Sequence, residues 1–175
     1  MHIMIDLETM GTRSNAPIIS LGAVAFDHSE IHSRIYVSNT LSSAVETGAV
    51  IDPDTVMWWM GQSDEARGAL CAGKEHLRNN LYMFSRWCSS FDIEGVWGNG
   101  SDFDNAILSE AYRRMERAVP WKYHQNRCFR TLNALAGDGI VTPQVGVSHN
   151  AVNDAEWQAL RLQQIWEKLG LNVEV

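Results

Sequence analysis

The stretch His2-Ile3-Met4-Ile5-Asp6-Leu7-Glu8 decides how this chain is read. Ile3, Ile5 and Leu7 alternate with other residues in the period-two pattern of a strand that buries one face. Asp6 and Glu8 then fall together on the opposite face, their Cα atoms about 6.6 Å apart. That face could simply be solvated. The alternative is that the first strand of a mixed sheet lies centrally, where both faces are covered. Carboxylates placed there need a cation or take up protons. A local conflict of this kind, acids midway along an apolar strand, tends to mark function.

Two further strand signals follow. Residues 18–26, IISLGAVAF, form a short apolar run, and residues 31–39, IHSRIYVSN, alternate again. Gly11, Ser14, Asn15 and Pro17, then Asp27 and Ser29, supply turns between them. Three strands with short connections predict an antiparallel meander. Pro53 after Asp52 predicts a short helix over DPDTVMWWM. Helical spacing of Leu77, Leu81, Phe84, Trp87, Cys88 and Phe91 predicts a helix within residues 74–91. EGVWG, residues 94–98, reads as a strand bounded by glycine. A helix is expected over 103–117, a weak strand near 121–124, a short helix near 131–136 and a final helix over about 151–169. Strands first and crossovers later predict an α/β fold, a mixed sheet with helices on its faces.

The chain has 175 residues, enough for one core burying roughly 70% of the unfolded surface. No apolar run reaches the ~20 residues of a membrane span, and Asp6 interrupts any leader-like stretch at the start. Cys71, Cys88 and Cys128 are widely spaced and form no zinc pattern; they imply reduced thiols and a cytoplasmic protein. Fourteen basic and twenty-one acidic residues give a net charge of −7. A protein that grips long nucleic acid is usually basic. Acids that hold divalent cations reconcile this balance with a phosphate substrate, because two such ions would bring four positive charges to one place.

Two more clusters carry chemistry. In VWGNGSDFDNAIL, Asp104 opens a helix after a strand and loop, with Asp102 as its rival; either could serve only as a helix cap. In VSHNAVNDAEW, His149 precedes the last helix and Asp154 lies in its first turns. Five apart, they do not share one face of a regular helix, so His149 must belong to the loop if both meet one site.

Together these segments resemble the DEDDh branch of the DnaQ-like 3′–5′ exonuclease superfamily. The family carries an Asp-x-Glu strand, a Phe-Asp at a helix start, and a final His with Asp five residues on; here these read IDLET, GNGSDFDNAIL and SHNAVNDA. The match looks closest to small bacterial and prophage proteins, exodeoxyribonuclease VIII-like or mycobacterial-type 3′–5′ exoribonucleases, which share the look of TVMWWMGQSDEAR and WGNG. Arg130-Thr131 departs from the Asp-Thr common in the family, at a position that is not a metal ligand there.

The resemblance implies one exonuclease domain over residues 1–175 with a ribonuclease H-like five-stranded sheet, three strands antiparallel and two parallel. It implies two divalent cations, Mg²⁺ or Mn²⁺, as cofactors. Asp6 would bridge both, Glu8 and Asp154 would help hold the first, Asp104 would support the second, and His149 would be the general base. The residues after Asp-x-Glu, Thr9, Met10 and Gly11, would line the pocket for the terminal nucleotide, with Phe103 and Trp59 as further contacts. Trp58 and Trp59 point about 100° apart on a helix, so at most one faces the strand; Trp59 is preferred. The expected substrate is the 3′ end or 3′ overhang of single-stranded RNA or DNA, with RNA favoured by the mycobacterial-type look. A homodimer paired through the tryptophan-rich last helix is expected by analogy. The rival readings are a catalytically silent binding module on the same fold, which predicts a missing ligand where none is missing, and a metal-dependent nucleotide phosphatase.

Overall fold

The computed structural model describes residues 1–146 and 149–171. A five-stranded sheet runs through it in the order β3-β2-β1-β4-β5. The strands are β1 His2–Thr9, β2 Ile18–Phe26, β3 Ile31–Ser38, β4 Gly95–Gly98 and β5 Asn126–Cys128. β1, β2 and β3 form the antiparallel meander, β4 adds to β1 in parallel, and β5 adds to β4 in parallel. The strand carrying Asp6 and Glu8 is therefore the central one.

Both faces of the sheet are covered, which is why β2 is buried at every position. On one face Ile3, Ile5 and Leu7 pack against Leu81 and Phe84 of α4 (Leu77–Cys88) and Ile107, Leu108 and Tyr112 of α5 (Ala106–Arg114). On the other, Met4, Val24, Phe26 and Trp97 meet Ala155, Ala159, Leu162, Ile165 and Trp166 of α7 (Ala151–Leu169), with Phe129 of α6 (Phe129–Ala136). Each large side chain so buried stabilises the fold by about 1.5–3 kcal/mol. Alternation along β1 puts its odd residues in the first layer and places Asp6 and Glu8 on the side covered by α7.

Three short helices cross between β3 and α4. They are α1 (Leu41–Val45), α2 (Pro53–Met60) and α3 (Asp64–Cys71). α2 starts as expected: the Asp52 side chain accepts the Asp54 N–H at 3.1 Å, and Pro53 takes the first turn, where its missing donor costs nothing.

The weak strand expected at 121–124 lies instead at Asn126–Cys128. Trp121, whose apolar character supported the earlier placement, turns into the core and donates its indole N–H to Asn126 Oδ1 at 2.8 Å. Tyr123–Gln125 forms a 3₁₀ turn held by the Gln125 side chain, which accepts the Lys122 N–H and donates to the Ile93 carbonyl. The helix expected over 103–117 opens with a π-type turn, Ser101–Asn105, and ends at Arg114.

The last helix keeps its expected bounds, but its tryptophans face inward. Trp166 is buried, stacked on Phe26 and His28, and Trp157 donates to the Thr142 carbonyl at 3.2 Å. Trp166 is thus used within the chain. Among the described residues no helix is long and apolar enough to cross a membrane.

Candidate active site

Asp6 lies opposite Gly22 in the β1–β2 register. A Cβ built on Gly22 would come within 2.1 Å of the Ala151 carbonyl carbon. Backbone cannot yield to that contact, so the glycine is what lets the start of α7 rest on the sheet beside Asp6. Asp154 and Gln158 follow one turn apart on α7, on the same face. Gln158 donates its side-chain N–H to Asp6 Oδ1 at 2.8 Å. Asp154 Oδ2 accepts the backbone N–H of His149 at 2.9 Å. His149 sits in the loop before α7 with φ +61°, and its ring meets Trp58 and Trp59 nearly at right angles, centroids 5.4 and 6.0 Å away.

Asp104 arrives from the other side, on the π-type turn after β4. Its Oδ1 accepts the Leu7 N–H at 3.2 Å and its Oδ2 the Asn99 N–H at 2.8 Å. A Cβ on Gly98 would stand 2.9 Å from Asp104 Cβ and 2.4 Å from Asn105 Oδ1, so the glycine admits this turn against β4. Asp104 is buried, whereas its rival Asp102 is exposed. π-type turns recur where a helix must re-aim a functional side chain.

These elements enclose a cleft of about 900 Å³ whose wall includes Asp6, Glu8, His149 and Asp154, together with Thr9, Gly11, Phe103 and Trp59. Met10 is absent from that wall, contrary to expectation. β1 ends at Thr9, where the register with β2 skips Ile19, so Met10 lies past the strand and outside the alternation that places Asp6 and Glu8. The Met10 backbone is tied instead to Pro17 and Asp52. Trp59 is 4% exposed and donates its indole N–H to the Thr9 carbonyl at 2.9 Å; Trp58, 48% exposed, offers the open ring on the same wall. Gln158 also lines the cleft. Its place one turn after Asp154 is legible in the sequence.

The electrostatics are those of crowded acids. Burial raises Asp6 well above the ordinary carboxylate range, and the charges of Asp104, Glu8 and Asp154 add to it, against the Gln158 hydrogen bond. Burial, then Asp154 and Asp104, push Glu8 up to about 8. Burial takes Asp104 to about 7, opposed by the Asn99 and Leu7 N–H donors. Asp154 is raised by burial and held back by the His149 N–H. Four such groups cannot all ionise without compensation. Donor atoms of Glu8, His149 and Asp154 lie within 4.8 Å of one another, and a set dominated by carboxylate oxygens suits a hard divalent cation. The residues fit such an ion.

This arrangement predicts a pH-dependent stability. A carboxylate raised in the fold binds its proton more tightly there than in the unfolded chain. Stability is therefore full at low pH and is lost, by roughly 1.4 kcal/mol per pH unit and group, as pH rises from the unfolded value to the folded one. Burial lowers His2 to about 4; it acts in the opposite sense, but only below the ordinary histidine range near 6.5. The window from pH 7 to 9 thus isolates the acids. In a chelator the melting temperature should fall by roughly 5–10 °C across that window, and saturating Mn²⁺ should remove most of the fall. Melting temperatures in chelator that do not change with pH would contradict the reading.

The family model described as the 3′-5′ exoribonuclease Rv2179c-like domain matches residues 1–166. This chain belongs to that family. As a member it is 28% identical over 133 residues to the exodeoxyribonuclease of Enterobacteria phage T4; the match takes in 65% of this chain and 56% of that enzyme, so the chain spans little more than half of that relative's length. The zinc-bound form of the E. coli ExoI–ssDNA complex superposes with a TM-score of 0.67 at 14% identity, over 97% of this family member and 41% of that chain. The nuclease domain of 3′hExo, a DEDDh family member bound to rAMP, superposes with a TM-score of 0.60 at 11% identity, over 95% and 91%. These superpositions show the ribonuclease H-like fold.

Proposed function

We propose that this chain is a divalent-cation-dependent 3′→5′ exonuclease, acting as one domain, which releases nucleoside 5′-monophosphates from a single-stranded or overhanging 3′ end. The observation that carries this is the convergence of Asp6, Glu8, Asp154 and His149 on one open cleft, with the buried Asp104 close enough to oppose the charge of Asp6. Mg²⁺ or Mn²⁺ bound there would supply positive charge to activate water and stabilise the leaving 3′-oxygen. Asp6, Glu8 and Asp154 would hold one such ion, and Asp6 and Asp104 would support a second. His149 accepts a proton from the attacking water. Thr9 and Gly11 bound the pocket for the terminal nucleotide, and Phe103 closes another wall.

The net charge of −7 supports handling of one strand end rather than broad affinity for long nucleic acid. We place the enzyme in the cytoplasm, in keeping with its three unpaired cysteines. The family description supports RNA as the preferred substrate, and the phage relative's name supports acceptance of DNA.

One gel tests the reading. RNA and DNA oligonucleotides, labelled at either end, single-stranded or with overhangs, are incubated with Mg²⁺ or Mn²⁺ and with a chelator control. The expected result is a ladder shortened from the 3′ end, absent in chelator and faster on RNA. Intact oligonucleotides would instead support a silent binding module, and release of inorganic phosphate a phosphatase.

The exposed Trp58 ring is the stacking surface for a base near the 3′ end. Stacking on an aromatic side chain contributes about 1–3 kcal/mol per base. Trp58→Ala should therefore raise KM by roughly 5- to 100-fold with kcat nearly unchanged. Trp59→Ala should chiefly lower the melting temperature, since it removes a buried ring and its bond to Thr9. A Trp58→Ala enzyme with wild-type KM would remove this role.

A further inference from the structure

We infer that Gln158 is a positioning residue that fixes Asp6 for the cation. This deepens the metal-dependent reading above and rests on it. Gln158 is 3% exposed and stands on the cleft wall. Its Nε2 reaches Asp6 Oδ1 at 2.8 Å across 152 positions of sequence. Its Oε1 is buried without a hydrogen-bond donor among the described residues. A buried amide carbonyl left unpaired costs about 1–3 kcal/mol. A glutamine kept in this position therefore argues for a use beyond packing.

The surroundings leave the amide one task. Ala155 and Ala159 flank it on α7, both fully buried, so the helix lies close on the sheet and the Gln158 side chain reaches β1. The N–H end takes one Asp6 oxygen and fixes the carboxylate's rotation. The remaining Asp6 lone pairs would be free for cations, and the unpaired carbonyl would accept a hydrogen bond from a cation's hydration shell. Groups that orient a metal-binding carboxylate in this way typically govern affinity or activity by about 10–100-fold.

Calorimetric titration with Mn²⁺ alone tests this without nucleic acid. Gln158→Met keeps the length and unbranched shape but removes both polar atoms. Gln158→Asn keeps the amide but withdraws it by one methylene, out of reach of Asp6. Both should weaken Mn²⁺ binding by roughly 10–100-fold, and in the nuclease assay both should lower the rate at limiting Mn²⁺ and recover most of it at excess, with KM for the oligonucleotide unchanged. Melting in chelator identifies the folded variants, and either one that folds decides the matter. Mn²⁺ affinity within twofold of wild type in a folded variant overturns the inference. If the wild type binds Mn²⁺ but leaves every oligonucleotide intact, the exonuclease reading fails while the Gln158 contrast still stands or falls on its own titration.

Discussion

Asp6→Asn is expected to abolish Mn²⁺ binding and nuclease activity together, while making the metal-free protein more stable. Asp6 is the acid with the most neighbours against it: burial and three other carboxylates all oppose its charge. Asparagine has nearly the same shape and can still accept the Gln158 N–H through its carbonyl, so the packing beneath α7 is retained. What disappears is the negative charge shared by the proposed ions. The loss of activity should exceed the roughly 10–100-fold that removal of a mere supporting partner costs. In chelator at pH 8, where an ionised Asp6 is most unfavourable, the variant should gain at least about 1 kcal/mol. Function held at the expense of stability is a common property of active sites. Calorimetric Mn²⁺ titration and melting in chelator measure the two halves separately. A variant that binds Mn²⁺ like the wild type, or melts lower in chelator, would show that Asp6 is ordinary structure.

Much of this site could be read from periodicity. Alternation in residues 2–8 put Asp6 and Glu8 on one face, and both do lie under α7. The placing of that strand at the sheet centre followed from its position ahead of a meander and crossovers. What escaped the sequence depends on parity or on distant partners. β1 stops at Thr9, so Met10 leaves the alternation and does not line the cleft, and nothing in the local pattern announces that end. Which of two adjacent tryptophans is buried depends on the Thr9 carbonyl, fifty residues away. Asp104 is told from Asp102 by its place after Phe103 in the family pattern, while the two N–H donors that hold it, one of them on β1, lie beyond any local pattern. α1 and α3 were not anticipated because five and eight residues are too few for a helical stripe to stand out. The Ser63 cap and the acids Asp64 and Glu65 were the available signal for α3.

His149→Ala is expected to slow turnover by about 10²–10⁴-fold while Mn²⁺ affinity stays within a few-fold of wild type. The second half of that statement matters as much as the first. The imidazole lies close enough to Glu8 and Asp154 for all three to share one ion. A ligand and a general base would therefore lose activity alike, and only the metal titration separates them. The backbone adds a complication. His149 adopts φ +61°, where alanine is strained, so His149→Ala perturbs the loop as well as removing the ring. Asparagine tolerates that region, and His149→Asn keeps the loop while supplying no group that titrates near neutrality. The N–H that Asp154 accepts belongs to the main chain and persists in both variants. Equal losses of rate in the two, with Mn²⁺ affinity retained, assign the proton transfer to the ring. A large loss in alanine alone would assign the effect to the loop, and a parallel loss of Mn²⁺ binding in both would make His149 a ligand.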